Sequence, residues 1–131
     1  MWIEFGNQWI NEDDLFRVVF NVARDVVNLH FAPGEGRLPV NWAGETESLE
    51  RMLDHRMFDA EALPLEDTPW VRIRGEEYLN LNAVSRVEFV LMPHGEEARF
   101  FHSGDNFHVG HILNDPDAIN AVKDALLRLR H

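Results

Sequence analysis

The 131-residue chain carries a net charge of −11, is 45% hydrophobic and 27% charged, and has no cysteine. These values describe a folded chain of one domain and exclude a disulfide framework, a thiolate nucleophile or a cysteine-held zinc. They also weigh against a general nucleic-acid binder, because neutralising phosphates takes clustered Lys and Arg.

The first half opens on a Trp-led strand, Trp2–Phe5, a turn at Gly6 and a short strand through Trp9, Ile10 and Asn11. Glu12-Asp13-Asp14 reads as a solvated turn. A long strand follows, with Phe16, Val18, Phe20 and Val22 on one face and Arg17, Val19 and Asn21 on the other. After a turn at Arg24-Asp25, Val27, Leu29 and Phe31 alternate with Asn28 and His30. A short fifth strand fits Leu38–Trp42, and a helix fits 46–58, capped by Thr46 or Ser48 with the stripe Leu49, Met52, Leu53 and Met57. Residues 62–69, with two prolines, read as a linker.

The second half repeats that order. Trp70-Val71-Arg72-Ile73 answers Trp2-Ile3-Glu4-Phe5 at an offset of 68, with one extra residue near Arg74. From there YLNLNAVSRVEF (78–89) answers WINEDDLFRVVF (9–20) at an offset of 69. That offset matches Arg17 to Arg86, His30 to Arg99, Phe31 to Phe100 and Trp9 to Tyr78. Val87, Phe89 and Leu91 take the core face of the long strand, and Pro93-His94-Gly95-Glu96 makes the next turn. A short strand fits Phe107–Ile112. Asn114-Asp115-Pro116 then starts a helix with the apolar stripe Ala118, Ala121, Val122, Ala125, Leu126 and Leu129. The expected fold is α+β: two ββββα pseudo-repeats (1–61 and 70–131), whose antiparallel sheets pack against a pair of helices.

The second half, GEEYLNLNAVSRVEF followed by GEEARFF, SGDNFHV and a terminal helix, resembles the small bacterial flagellar FlbD proteins over about 55 residues. In topology, the tandem of strand-rich, helix-ended units resembles the Whirly/PC4-like fold, which implies single-stranded nucleic acid as a partner. A pleckstrin-homology-like barrel also ends in a helix, but has one helix where two are expected here.

No catalytic constellation is expected. Seven histidines suggest a metal, and His94, His102, His108 and His111 lie close in sequence. A two-residue turn at Gly104-Asp105, however, would put His102 and His108 on opposite sheet faces, so no metal ligand and no cofactor is assigned and a metal- or small-ligand-binding domain is the second alternative. His102-Ser103-Asp105 has the residue types of a hydrolase triad without the spacing that would assemble one. Gly34-Glu35-Gly36 lacks the lysine of a phosphate loop.

The interaction candidates are Trp9, Arg17, His30, Tyr78, Arg86, Arg99 and Phe101, an outer sheet face of paired arginines and aromatics. Such a face suits a protein partner, foremost a second copy through Val19, Val90 and Phe101. It also suits stacked single-stranded nucleic acid, which the net charge opposes. No apolar run reaches the roughly 20 residues that span a bilayer, so no membrane partner is expected. No basic leader precedes WIEFGNQWI, and a prokaryotic cytoplasm is the expected location.

Overall fold

The computed structural model describes residues 2–5, 7–32, 36–40 and 43–130. In chain order these form β1 (Trp2–Phe5), β2 (Gln8–Asn11), a 3-10 turn (Glu12–Asp14), β3 (Leu15–Asn21), a second 3-10 turn (Val22–Arg24), β4 (Val26–Phe31), β5 (Arg37–Val40) and α1 (Ala43–Met57). The chain continues with β6 (Trp70–Arg74), β7 (Glu77–Asn80), a 3-10 turn (Leu81–Ala83), β8 (Val84–Met92), β9 (Gly95–His102), β10 (His111–Leu113) and α2 (Pro116–Leu129). The fold is α+β, with antiparallel sheets and two helices.

The strands do not divide as the sequence predicts. Instead of one sheet per half, β6 and β7 leave the second half and extend the first, giving a five-stranded sheet in the order β5-β4-β3-β7-β6. The second half keeps a three-stranded sheet, β10-β9-β8, and β1 and β2 pair as a separate hairpin. The junction is β3 against β7, with Arg17 opposite Leu79, Val18 opposite Tyr78 and Val19 opposite Glu77.

Two apolar clusters form on this frame. Val18, Phe20, Val27, Leu29 and Val40 meet Leu49, Leu53 and Met57 of α1, together with Trp70 and Tyr78 and the inner side of the first hairpin, Ile3 and Ile10. Ala98, Phe100 and Leu113 meet Ala118, Ile119, Val122 and Ala125 of α2, together with Val71, Ile73 and Leu79. The hairpin β6–β7 therefore serves both cores, one from each face, as period-two alternation allows. Each large apolar side chain buried in this way contributes about 1.5–3 kcal/mol. The helices sit over separate clusters, and both reach β6.

Phe16 lies in the second cluster, not beside Val18 and Phe20 as the alternation predicts. The cause is a β-bulge between Leu15 and Arg17, which adds one residue and turns Phe16 to the opposite face. A bulge also lies between Val84 and Arg86 on β8. Beyond the bulges the hairpins differ in length, nine residues in β8 against seven in β3. Counting from the bulges, Leu29 corresponds to Phe100 and His30 to Phe101, so the partners of the ungapped 69-residue offset, Phe31 with Phe100 and His30 with Arg99, slip by two.

Local chemistry sets the element ends. The Asp115 side chain accepts from the Asp117 amide at 3.1 Å and Pro116 fills the first helical position, as predicted for α2. Helix α1 begins at Ala43, upstream of Thr46 and Ser48. Asn11 and Asn80 do the same job at the starts of two 3-10 turns, accepting from the amides of Asp13 and Asn82 at 3.1 Å each. Gly95, at φ +132°, makes the β8–β9 turn with a backbone that a side chain would strain.

Candidate functional site

Arg17 is brought by the β3 bulge to the seam between β4 and β7. Its Nε donates to Glu77 Oε1 at 2.7 Å, and its Nη1 lies 3.4 Å from His30 Nε2 on the facing strand. Burial pushes the His30 imidazole below its ordinary pKa, and the charges of Arg17 and Arg37 push the same way. This seam also adjoins two histidines of the second half. The expected strand 107–112 begins only at His111, and His111 pairs with Phe100. The chain from Ser103 to Gly110 loops out and returns, placing His102 and His111 together around Phe16. Their rings stand 4.6 and 5.6 Å from the Phe16 ring, both edge-on.

Both histidines are biased towards the neutral form. Burial lowers both, and His111 falls to about 4, with the Arg17 charge as the next cause. The buried Nδ1 of His102 and Nε2 of His111 have no hydrogen-bond partner among the described residues. His102 leaves no room beside it, since a Cβ on Gly110 would run into its ring. No group of three or more His, Asp or Glu side chains is placed to hold a metal among the described residues. These histidines behave as flat aromatic filler between two sheets.

Arg86, on the long strand of the second half, has a different setting. Its guanidinium lies 3.9 Å over the Phe101 ring, 3.7 Å from Glu88, and donates to the Asn106 carbonyl at 3.2 Å. Phe101 is buried beneath it, and Val19 and Val90 are half-buried, so these three do not form an open apolar face. Arg99 bonds Glu97 at 2.7 Å. Arg17, Arg86 and Arg99 each face a carboxylate, which offsets the positive charge a phosphate backbone would need.

The paired aromatics separate. Tyr78 is fully buried, edge-on to Phe20 at 5.7 Å, with its hydroxyl on Asp54 at 3.2 Å. Burial, with the charge of Asp54 as a lesser cause, raises that phenol to about 12. Trp9 is exposed, and Trp2 beside it is exposed as well. They line a shallow depression of about 470 Å³ with Phe31, Arg37 and Leu38. Trp2 is not among the sequence-derived candidates, although it pairs with Asn11, which in an alternating hairpin shares the face of Trp9.

Glu12 departs from the expected solvated turn. Asp13 and Asp14 are exposed, as a solvated turn requires, but Glu12 is buried. Its carboxylate accepts from the Arg56 guanidinium and from Trp70 Nε1, the latter at 2.9 Å. The link joins α1 to β6 and is structural. The triad-like residues do not assemble either. Asp105 binds His108 Nδ1 at 2.9 Å, and the amide of Phe107, followed by His108, holds its carboxyl below the usual range. Gly34 and Glu35 lie outside the described residues. No helix among the described residues is long and apolar enough to cross a membrane.

A hollow of about 670 Å³ lies between the end of α1 and β6, with Phe58, Ala62 and Leu65 on its wall beside Asp54, His55 and Arg72. It gathers no nucleophile with a base, so it offers binding space without a reacting group. No known protein family, curated protein or solved structure matches this chain, and the resemblances to FlbD and to the Whirly/PC4-like fold rest on the sequence pattern and element order alone.

Proposed function

We propose that this chain is a non-enzymatic assembly module made of two ββββα pseudo-repeats, and that it acts as a homodimer. The observation that carries the reading is the exposed aromatic side of the first hairpin, Trp2 and Trp9, whereas Trp70 and Tyr78, their equivalents in the second hairpin, are buried. Tryptophan, with tyrosine and arginine, is enriched among the residues that carry most of the energy of a protein contact. The duplication is supported by the matching roles of Asn11 and Asn80, by a bulge at the same place in β3 and β8, and by matched backbone bonds after each hairpin. In the latter, Ala32 N donates to Asp14 O and Ser103 N to Ala83 O.

Sedimentation velocity over about 1 to 100 µM tests the reading, since self-association is concentration-dependent. The mean mass is expected to rise from 15.2 kDa towards twice that value. A mass that stays at 15.2 kDa across the range would refute the homodimer.

A further inference from the structure

Strand β8 is paired by β9 along one side, and no other strand of the described residues takes its second side. Nine residues of open edge are a template for another strand, and natural folds cover such edges. The matching edge in the first half is covered. There β3 receives β7, and the ladder runs on to a bond from Phe20 N to Glu76 O. The hairpin that corresponds to β6–β7 is β1–β2. Both hairpins have the same register, Trp2 opposite Asn11 and Glu4 opposite Trp9 in one, Trp70 opposite Asn80 and Arg72 opposite Tyr78 in the other.

Their burial differs. Trp70 and Tyr78 are 1% and 0% exposed, whereas Trp2 and Trp9 are 61% and 63% exposed. The receiving strands differ in the same sense. Phe20 is 2% exposed, while Phe89 is at 36% and Leu91, two residues on, at 86%. One half thus has its hairpin, its covered strand and its filled core. The β8 edge is open, and the β1–β2 hairpin keeps an open aromatic face while its inner side sits on the first core. No strand pairing joins the two among the described residues.

Resting on the assembly reading above, we infer that the β1–β2 hairpin of a second copy of this chain adds to the β8 edge, each copy giving one hairpin and receiving one. The register follows from the internal junction: Arg86 opposite Ile10, Val87 opposite Trp9 and Glu88 opposite Gln8. Trp9 then stands edge-on to Phe89 as Tyr78 does to Phe20, and Arg86 meets Gln8 where Arg17 meets Glu77. Within its own chain the hairpin is held elsewhere. Ile3 and Ile10 are buried in the first core, and the turn after β2 is pinned by Asn80 Nδ2 on Glu12 O and Leu15 O at 3.1 and 3.0 Å. A second copy reaches the edge without undoing those contacts. Four tryptophans in a two-fold pair supply about 600 Å² of aromatic surface, and stable interfaces begin at about 1,200 Å² in total. The added strands supply the remainder.

The test uses the full chain, which has no cysteine of its own. Gln8→Cys and Glu88→Cys face each other as a non-hydrogen-bonded pair, the spacing of about 4.5 Å between Cα atoms that suits a disulfide. Mixing the two single variants under mild oxidation is expected to give a covalent dimer of twice 15.2 kDa. The double variant in one chain is expected to give linked dimers and not a monomer with an internal bridge. Trp2→Ser/Trp9→Ser, both surface changes, is expected to sediment as a folded monomer with unchanged far-UV circular dichroism. An internal bridge would overturn the proposal in favour of closure onto the chain's own β8. A dimer that survives the tryptophan changes and does not cross-link would also overturn it, while leaving the assembly reading standing. A wild-type chain that stays monomeric would overturn both.

Discussion

His111 shows how a single side chain couples to its surroundings. It is neutral in the folded chain because burial among Phe16, Phe100 and the neighbouring sheet removes the water that would stabilise an imidazolium. Arg17 on β3, His30 on β4 and His102 on β9 each oppose its protonation, and Glu77 on β7 favours it. Its pKa is lowered from 6.5 to about 4. The unfolded chain therefore takes up a proton at a higher pH than the folded one. The stability this group contributes is complete above pH 6.5 and is lost as pH falls towards 4. The loss at the lower limit is about 3 kcal/mol from this residue. His102 is shifted in the same direction and adds to it. Urea midpoints between pH 7 and pH 4 are expected to fall steadily, and His111→Phe, which keeps an aromatic ring in the gap, is expected to flatten the slope. An unchanged slope in that variant would remove His111 as the cause.

Among the elements, the two asparagines that open 3-10 turns show how equal sequence roles acquire unequal weight. Asn11 is half-buried and caps Asp13. Asn80 is fully buried, caps Asn82, and spends its amide hydrogens on two carbonyls of the first half, Glu12 O and Leu15 O. Asn80→Ala leaves those two carbonyls with lost partners and is expected to cost about 2–4 kcal/mol, against about 0.5–1 kcal/mol for Asn11→Ala. Thermal or urea unfolding of the two variants measures the difference, and equal losses would contradict the assignment. Period-two patterning made the existence of most strands readable, because alternation is a local property of the chain. The residues of α2 and its Asp115-Pro116 start were readable for the same reason. Pairing β7 with β3 was not, because nothing within a strand names its distant neighbour. The bulge at Phe16, which changes face through one extra residue, and the second hairpin, two residues longer than the first, were hidden as well. Tyr78 and Trp9 carry equivalent sequence signals and end up on opposite sides of the core boundary. The burial of Glu12, set by the distant Arg56 and Trp70, had no local signal at all.

The whole molecule is tied together by the exchange of β6–β7 into the first sheet. Trp70 and Tyr78 fill the first core, while Val71, Ile73 and Leu79 from the same hairpin fill the second. The proline-containing stretch before Trp70 looks like a place to divide the chain, and residues 1–61 and 70–131 look like two units. Cutting there removes two of the largest fully buried side chains from the first core and takes Phe16 from the second. It also strips β3 and β7 of each other's hydrogen bonds. Pieces of about 60 residues are marginal even with an intact core, because their surface is large relative to the volume they enclose. Each fragment alone is therefore expected to give the circular dichroism of an unfolded chain, and an equimolar mixture to recover the spectrum of the intact protein. In the intact chain, far-UV circular dichroism and tryptophan fluorescence are expected to report one coincident unfolding transition. Should fragment 70–131 fold cooperatively by itself, the hairpin would be contributing to the second core without needing β3, and the five-stranded sheet would be a docking of two finished units instead of the frame on which both cores are built.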